Sequence, residues 1–169
     1  MASSSSSSST SSTAPAWTYD VLLSFRGADT RHGFTSDLYN ALRQSGIHAF
    51  MDRPGIESGD DIYGSLFQAI ERSRIALVIF SENYASSGWC LNELLHIMEC
   101  RTRLAQVVIP IFYGVDPSDV RHQTGTCGEA MERHEQWFRT IGNTDRVLRW
   151  RKALRAAASL AGFPSSECR

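Results

Sequence analysis

The chain has 169 residues, enough for one domain with a full core. Its 42% hydrophobic and 21% charged residues are the make-up of a globular protein. A net charge of −1 gives no long-range pull on nucleic acid or anionic lipid, and no apolar run reaches the ~20 residues of a membrane span.

The first 16 residues, MASSSSSSSTSSTAPA, form a Ser/Thr tract without core-forming side chains, which predicts disorder. The tract lacks the apolar centre of a secretory signal and the arginines of a transit peptide, although its serines leave a plastid address open. Ala2 removes a myristoylation signal. From Trp17 onward strand and helix patterns alternate. Tyr19 to Phe25 (YDVLLSF) reads as a first strand. Phe34, Leu38, Ala41 and Leu42 form a helical stripe that ends at Gly46. Ile47 to Met51 reads as a second strand, and Asp52 to Asp61 as a loop with a Pro-Gly turn. A helix through Ile62, Leu66, Ala69 and Ile70 precedes a third strand, Ile75 to Phe80. The next helix runs through Leu91, Leu94, Leu95 and Met98. Val107 to Tyr113 (VVIPIFY) reads as a fourth strand, and Pro110 predicts that it lies at a sheet edge, since proline lacks a ladder donor. A loop, GVDPSDVRHQTG, leads to a helix near Cys127 to Phe138 and a last one over Val147 to Ala161. Strands spaced by helices predict a doubly wound parallel sheet.

Several chemistries lack their signatures. There is no GxGxxG, GxxxxGK[ST] or GxSxG, so the dinucleotide fingerprint, the P-loop and the nucleophile elbow are missing. A phospho-acceptor receiver needs clustered carboxylates at the ends of its first and third strands, where this chain has SFRG and FSEN. No histidine is placed beside a serine to suggest a triad. Cys90, Cys100, Cys127 and Cys168 are widely spaced without a CxxC, which predicts no disulfide framework and no zinc site, and fits a reducing compartment. His96 and Cys100, four apart on a helix, are too few for a metal.

The segment Ser81 to Leu94, SENYASSGWCLNEL, carries the most information. A Ser/Asn-rich loop leaves the end of the third strand and enters a helix bearing Trp89 and Glu93, four residues apart and so on one face. An aromatic wall beside one carboxylate at the C-terminal end of a strand suits a ligand site. The same spacing also suits a core tryptophan and a solvated glutamate. Two more loops fall on that edge. Ser24 to Arg31 (SFRGADTR) brings guanidinium groups and a glycine, which suit phosphate, and Asp52 to Asp61 is glycine-bearing. Surface solubility and turn geometry explain each loop by itself; their convergence on one edge points to a site.

The stretches YDVLLSFRGADTR, AIERSRIALVIFSENYASSGWCLNELLHIMEC and IPIFYGVDPSDVRHQTGTCGEAM resemble the Toll/interleukin-1 receptor (TIR) domain of plant disease-resistance proteins, from about Tyr19 to Gly162. The resemblance implies a flavodoxin-like, five-stranded parallel sheet, with residues 17–163 as the TIR domain and 164–169 as a short tail. It implies cleavage of the nicotinamide–ribose bond of NAD⁺ or NADP⁺ as substrate, with no cofactor and no metal. Glu93 matches the family's catalytic glutamate, Trp89 the aromatic of the same pocket and Ser87 the serine before it. Phe25, Arg26, Gly27, Asp29 and Arg31 match the first loop at the dinucleotide, and Gly55 and Ile56 the BB loop, which also makes subunit contacts. The implied partners are other TIR domains, including copies of this chain, and lipase-like immune regulators reached through the products. Neither membrane nor nucleic acid is expected as a partner, and the expected location is the cytoplasm, with the nucleus also open.

Two departures from the family pattern stand out. Relatives continue past the region of Leu160 to Phe163 with a short strand and an amphipathic helix, whereas this sequence stops at Arg169. The expectation is exposed apolar surface on one side of the sheet and one weakened association surface. Many relatives carry Ser-His in the first helix at a symmetric contact; here the pair is Ser36-Asp37. A glycohydrolase active only when self-associated, and a TIR adaptor or decoy without turnover, are the two function classes these features leave.

Overall fold

The computed structural model describes residues 16–52 and 61–164. The expectations for the Ser/Thr tract through residue 15, for Gly55 and Ile56 within 53–60, and for the tail from residue 165 with Cys168 lie outside the described residues.

Five strands form one parallel sheet in the order β2-β1-β3-β4-β5. They are β1 (Tyr19–Ser24), β2 (Ala49–Phe50), β3 (Ser73–Phe80), β4 (Val107–Phe112) and β5 (Phe163–Pro164). The longest ladders join β1 to β3, from Tyr19↔Ser73 to Ser24↔Val78, and β3 to β4, from Ile75↔Val107 to Phe80↔Phe112. The two-residue period of a strand divides the apolar side chains between two faces. Leu22, Ala76, Val78, Phe80, Val108 and Phe112 point to one face. There they meet α3 (Asp61–Glu71), a 3₁₀ turn (Tyr84–Ser86), α4 (Gly88–Leu104), α5 (Pro117–His122), α6 (Gly125–Thr140) and α7 (Asp145–Ala158). Val21, Leu23, Phe25, Ile79 and Ile111 point to the other, where Phe34, Leu38 and Leu42 of α2 (Phe34–Gln44) cover them. Ile75 and Leu77 on this second face stay half-buried, and Val107 and Phe163 near the β5 edge are exposed. No described helix is long and apolar enough to cross a membrane.

Three differences from the sequence reading have physical causes. The loop after β1 contains a single helical turn, α1 (Gly27–Thr30), and the loop after β4 contains α5. In α5 the Asp116 carboxylate accepts from Ser118 N at 2.8 Å and Pro117 occupies the first turn, a start signal that sits in the sequence as D-P-S. The fourth strand is not an edge: β4 lies between β3 and β5. A side chain at Gly162 would run into the Pro110 carbonyl, so Pro110 turns its polar backbone toward β5. The missing N–H therefore falls on the side of a strand only two residues long, and the ladder to β3 is intact. The fifth strand of the expected five-stranded sheet is the short β5.

Trp150 of α7 fixes the helices that border the site. It is 2% exposed, its indole N–H donates to Asn92 Oδ1 at 3.1 Å, and it meets His134 and Phe138 of α6 edge-on. A Cβ on Gly88 would stand 3.5 Å from the same ring, so the first residue of α4 is held against it.

Gly162→Ala is expected to push β5 off Pro110 and to lower stability by about 1–3 kcal/mol, the usual range for a forced overpacking. Urea unfolding beside wild type measures it, and an unchanged midpoint would refute the close approach.

Candidate functional site

The strand order reverses direction between β1 and β3: the chain goes outward from β1 to β2, then crosses back over β1 to β3. Loops leaving the C-terminal ends of two such strands diverge and leave a crevice between them. A cavity of about 280 Å³ lies there. Its walls include Phe25, Arg26, Gly27 and Arg31 from the segment after β1, Asp52 from the segment after β2, and Ser87, Trp89, Cys90 and Glu93 from the start of α4. Seven of the residues expected from the sequence thus meet in one cavity: Phe25, Arg26, Arg31, Ser87, Trp89 and Glu93 by their side chains, with Gly27 as backbone. Asp29 is not among its walls. Its carboxylate accepts from Ser81 Oγ at 2.6 Å, Asn83 N at 2.9 Å and Asn83 Nδ2 at 3.1 Å, and so ties α1 to the loop after β3. Burial opposes its ionisation, but these bonds and the nearby Arg26 outweigh it and hold Asp29 below the usual carboxylate range.

Ser87 caps α4. Its hydroxyl accepts from Cys90 N at 3.2 Å, and this fixes the first turn on which Trp89 and Glu93 stand. Trp89 is half-buried, lining the cavity and packing against the larger core. Glu93 departs most from expectation. It is not on a solvated face: Cys90, Leu94, Ile97 and Cys100 make the core-facing stripe of α4, and Glu93 lies in it at 5% exposure. Leu95 and Met98, expected in that stripe, are only half-buried. Burial raises the Glu93 carboxyl to about 8; a hydrogen bond with Ser24 works against the rise and the Asp52 charge adds to it. Burial likewise pushes the Cys90 thiol to about 12, so it stays neutral at pH 7, 3.7 Å from the Phe25 carbonyl to which it donates.

Arg31 does not reach freely into the cavity. It donates to the Asp52 carbonyl at 2.8 Å and to Asp52 Oδ1 at 3.0 Å, and its guanidinium lies 4.8 Å from the centre of the Phe25 ring. The clamp joins the segments after β1 and β2 across the crevice. Gly27 gives it room, since a Cβ there would stand 3.1 Å from Arg31 Nε. Arg26 keeps a donor in reserve: its Nε is buried with no hydrogen-bond acceptor among the described residues, and Asp29 Oδ1 is 3.7 Å away. In α2 the Ser36 hydroxyl donates to the Arg31 carbonyl, while Asp37 is exposed. His96 lies away from the cavity, its Nε2 3.2 Å from Glu71 Oε1, and no trio of metal-binding side chains gathers among the described residues.

Asp52, Cys90, Ser24 and Tyr84 were not picked out as site residues from the sequence. Ser24 carried a signal. It follows Leu22 on the face that the larger core covers, and a hydroxyl at the buried end of a strand requires a partner.

A five-stranded parallel sheet with helices on both faces is the fold of a TIR domain. The chain belongs to the TIR domain family, whose model matches residues 18–169. It is 54% identical over 151 residues to TMV resistance protein N of Nicotiana glutinosa, covering 89% of this chain and 13% of that protein. It is 51% identical over 146 residues to disease resistance protein RPV1 of Vitis rotundifolia, covering 86% of this chain and 10% of that one. The chain thus spans about a tenth of the length of these relatives. Among solved structures it is similar to the TIR domains of the activated Roq1 resistosome, which directly recognises the pathogen effector XopQ. The TM-score is 0.80 at 46% identity, over 88% of this chain and 89% of that one. The family is therefore that of TIR domains in plant disease-resistance proteins.

A carboxyl whose native pKa exceeds its unfolded value binds protons more tightly in the folded protein. The contribution of Glu93 to stability should be greatest below pH 4.5, fall as pH rises toward 8, and level off above it. The loss attributable to Glu93 is of order 3–5 kcal/mol. Glu93→Gln should flatten this slope and be the more stable protein at pH 8.5, which urea titrations between pH 5 and 9 would reveal. Parallel curves for the two proteins would mean that Glu93 is solvated.

Proposed function

We propose that this chain is the catalytic module of a plant immune TIR protein and cleaves the nicotinamide–ribose bond of NAD⁺ or NADP⁺. The observation that carries this reading is one buried carboxyl, Glu93, in a crevice it shares with the Trp89 wall and a spare Arg26 donor. The cavity of about 280 Å³ is at the lower end for small-ligand sites, which suits the nicotinamide riboside half of the dinucleotide. Arg26 supplies a donor for the adjoining phosphate.

The chemistry needs little beyond these groups. The bond from ribose C1′ to the ring nitrogen breaks, and its electron pair neutralises the pyridinium charge. Nicotinamide leaves as a neutral molecule, so no general acid is required. Positive charge develops over C1′ and the ring oxygen of the ribose. The Glu93 carboxylate stabilises that charge and orients the ribose hydroxyls. Water then bonds to C1′ and releases a proton, giving ADP-ribose. No cofactor takes part.

The substrate's own cation answers the raised carboxyl. A pyridinium brought beside Glu93 favours its ionised form, so binding expels a proton in the range where the free carboxyl is still protonated. The rate follows the ionised fraction and kcat/KM rises with pH toward about 8, the value for the free carboxyl. A second reading has one observation in its favour: at pH 7 the free chain holds Glu93 mostly protonated, which also suits a TIR adaptor or decoy that binds without turnover.

Nicotinamide release by wild type and Glu93→Ala separates the two. The expected loss is at least about 10²-fold, the usual scale for removing a key electrostatic group. Equal rates in the two proteins would sink the catalytic role of Glu93, and no release by wild type at any concentration would leave the adaptor reading.

The working form in this proposal is an assembly of TIR domains in the cytoplasm or nucleus, as in the resistosome of the Roq1 relative. Its products would signal to lipase-like regulators of defence. If assembly completes the site, initial rate should rise more steeply than linearly with enzyme concentration, because the competent species is populated by mass action. Sedimentation of the same samples gives the populations. Linear rates from a monomer would show a self-sufficient site.

A further inference from the structure

We propose that the cavity between the segments after β3 and β4 is a second ligand site, apart from the Glu93 crevice, and that it takes a small organic cation: an apolar body against the core and one ammonium group at an acidic mouth. The proposal goes beyond the dinucleotide chemistry and does not depend on it.

β3 and β4 run side by side to their ends, where Tyr113 N donates to the Phe80 carbonyl at 2.8 Å. Their continuations then part. Bonds from Ser81 and Asn83 to Asp29 tie the segment after β3 to α1, whereas the segment after β4 enters α5. Between the two lies a cavity of about 400 Å³, larger than the 280 Å³ beside Glu93 and in the range of small-ligand sites. The two cavities share no lining residue among the described ones. Tyr84 stands between them: it lines the larger one, and its hydroxyl lies 3.3 Å from the carbonyl of Cys90, which lines the other.

The inner lining is apolar. Phe80, Tyr84 and Leu154 are wholly buried, and the first two rings meet edge-on at 5.1 Å. Cys127, in the first turn of α6, is 7% exposed and also lines the cavity. Its thiol makes no hydrogen bond among the described residues, and burial raises it to about 11, so it is neutral at pH 7. A buried polar group without a partner, facing open space, is one that an occupant can complete.

The mouth is acidic. Glu82, Asp116 and Asp119 lie on it, and no lysine, arginine or histidine is among the lining residues. The Asp116 carboxylate accepts from Ser118 N at 2.8 Å, which holds it below the usual carboxylate range and so charged at pH 7. Asp119 Oδ1 accepts from Thr124 Oγ1 at 2.6 Å, which fixes that carboxylate in place. The start of α6 also opens here, but Asp119 already answers its dipole, since a Cβ on Gly125 would stand 3.3 Å from Asp119 Oδ2. The cations whose charge reaches Asp116 and Cys127 are engaged elsewhere. Arg121 donates to the Ala158 carbonyl at 3.2 Å, and Arg151 to Glu135 Oε2 at 3.0 Å. An anion would be repelled at this mouth, and a neutral apolar molecule would leave its charge unanswered. A cation with an apolar body satisfies both parts, with the Tyr84 and Phe80 rings adding to its attraction.

The test is a titration of the ¹⁵N-labelled chain at pH 7 with phenethylammonium, read by amide chemical shifts. Saturable shifts are expected at Val115, Thr126 and Cys127, with Gly27 and Trp89 unmoved. Shifts confined to Gly27 and Trp89 would place the cation beside Glu93 and overturn the second site, as would the absence of shifts at millimolar ligand. 2-Phenylethanol, of the same shape without the charge, should bind about fivefold more weakly, and phenylacetate more weakly still. Equal Kd values for the three would overturn the choice of a cation. Glu82→Gln with Asp116→Asn removes two charges from the mouth, and asparagine keeps the cap of α5. This double variant should raise the phenethylammonium Kd about three- to tenfold and reduce its dependence on salt. An unchanged Kd and salt dependence would overturn the role of the acidic mouth. None of these readouts involves nicotinamide release, so the two readings stand or fall separately.

Discussion

Glu93 occupies a core position of α4, with no cation paired to it among the described residues, and its surroundings answer that constraint. A carboxyl removed from water must be neutral, paired or hydrogen-bonded. Here its native state at pH 7 is mostly protonated, and the group that favours its charge is a serine hydroxyl at the end of the neighbouring strand. The register of β1 on β3 decides whether that hydroxyl can arrive. With Ser24 opposite Val78, the end of β1 lies beside the last residues of β3, at the sheet edge from which α4 follows. A slip of one residue would turn Ser24 to the α2 face and bury Phe25 or Leu23 in its place.

The two walls of the crevice are fixed by different means. On the α4 side the cap at Ser87 and the Trp150 contact at Gly88 set where the helix begins, and the one-turn spacing of Trp89 and Glu93 does the rest. On the β1 side the Arg31 guanidinium holds Phe25 on one face and Asp52 at its edge, and Asp29 binds Ser81 and Asn83. Three segments that leave three strands are thus joined by charge-assisted bonds whose acceptors are all carboxylates or carbonyls. Since Asp52 also raises the Glu93 carboxyl, the clamp that builds the wall takes part in the electrostatics of the floor.

Much of the fold was legible because its elements carry strong periodicity. YDVLLS and IALVIF are bounded apolar runs, and the reversal crevice follows from strand order. Pro110 misled because a missing donor excludes a central strand only if it faces a paired neighbour, and which side it faces depends on the distant Gly162. Glu93 misled for a related reason. A glutamate in a helix is usually solvated, and reading the stripe through Leu95 and Met98 turned α4 away from its true buried face. Had Cys90, Ile97 and Cys100 been counted as core, Glu93 would have fallen among them. Tyr84 could not have been linked to Ser24, sixty residues away, by any local pattern. Asp52 opened the second of the three converging loops without being singled out, and its role depends on an arginine that spacing suggested for phosphate.

A carboxyl raised to about 8 is poorly ionised in the free protein, which at first weighs against using it to stabilise a cation. The same property gives selectivity. A neutral ligand leaves Glu93 protonated and gains nothing from it, whereas a ligand that brings a positive charge shifts the proton off and recovers the pair attraction in a site that excludes water. The surroundings then act in one direction. Burial and Asp52 keep the carboxyl neutral until the cation is present, and the Ser24 hydroxyl favours the charged form. Charge on the ring of a nicotinamide dinucleotide disappears as the bond to ribose breaks, and equal charge develops on the sugar. In the proposed reaction Glu93 therefore remains ionised from binding to cleavage, with its counter-charge displaced only from the ring to the adjoining ribose. An uncharged nucleoside of similar shape would meet the same walls without that exchange, so in the proposed reaction the ring charge is the feature that Glu93 distinguishes.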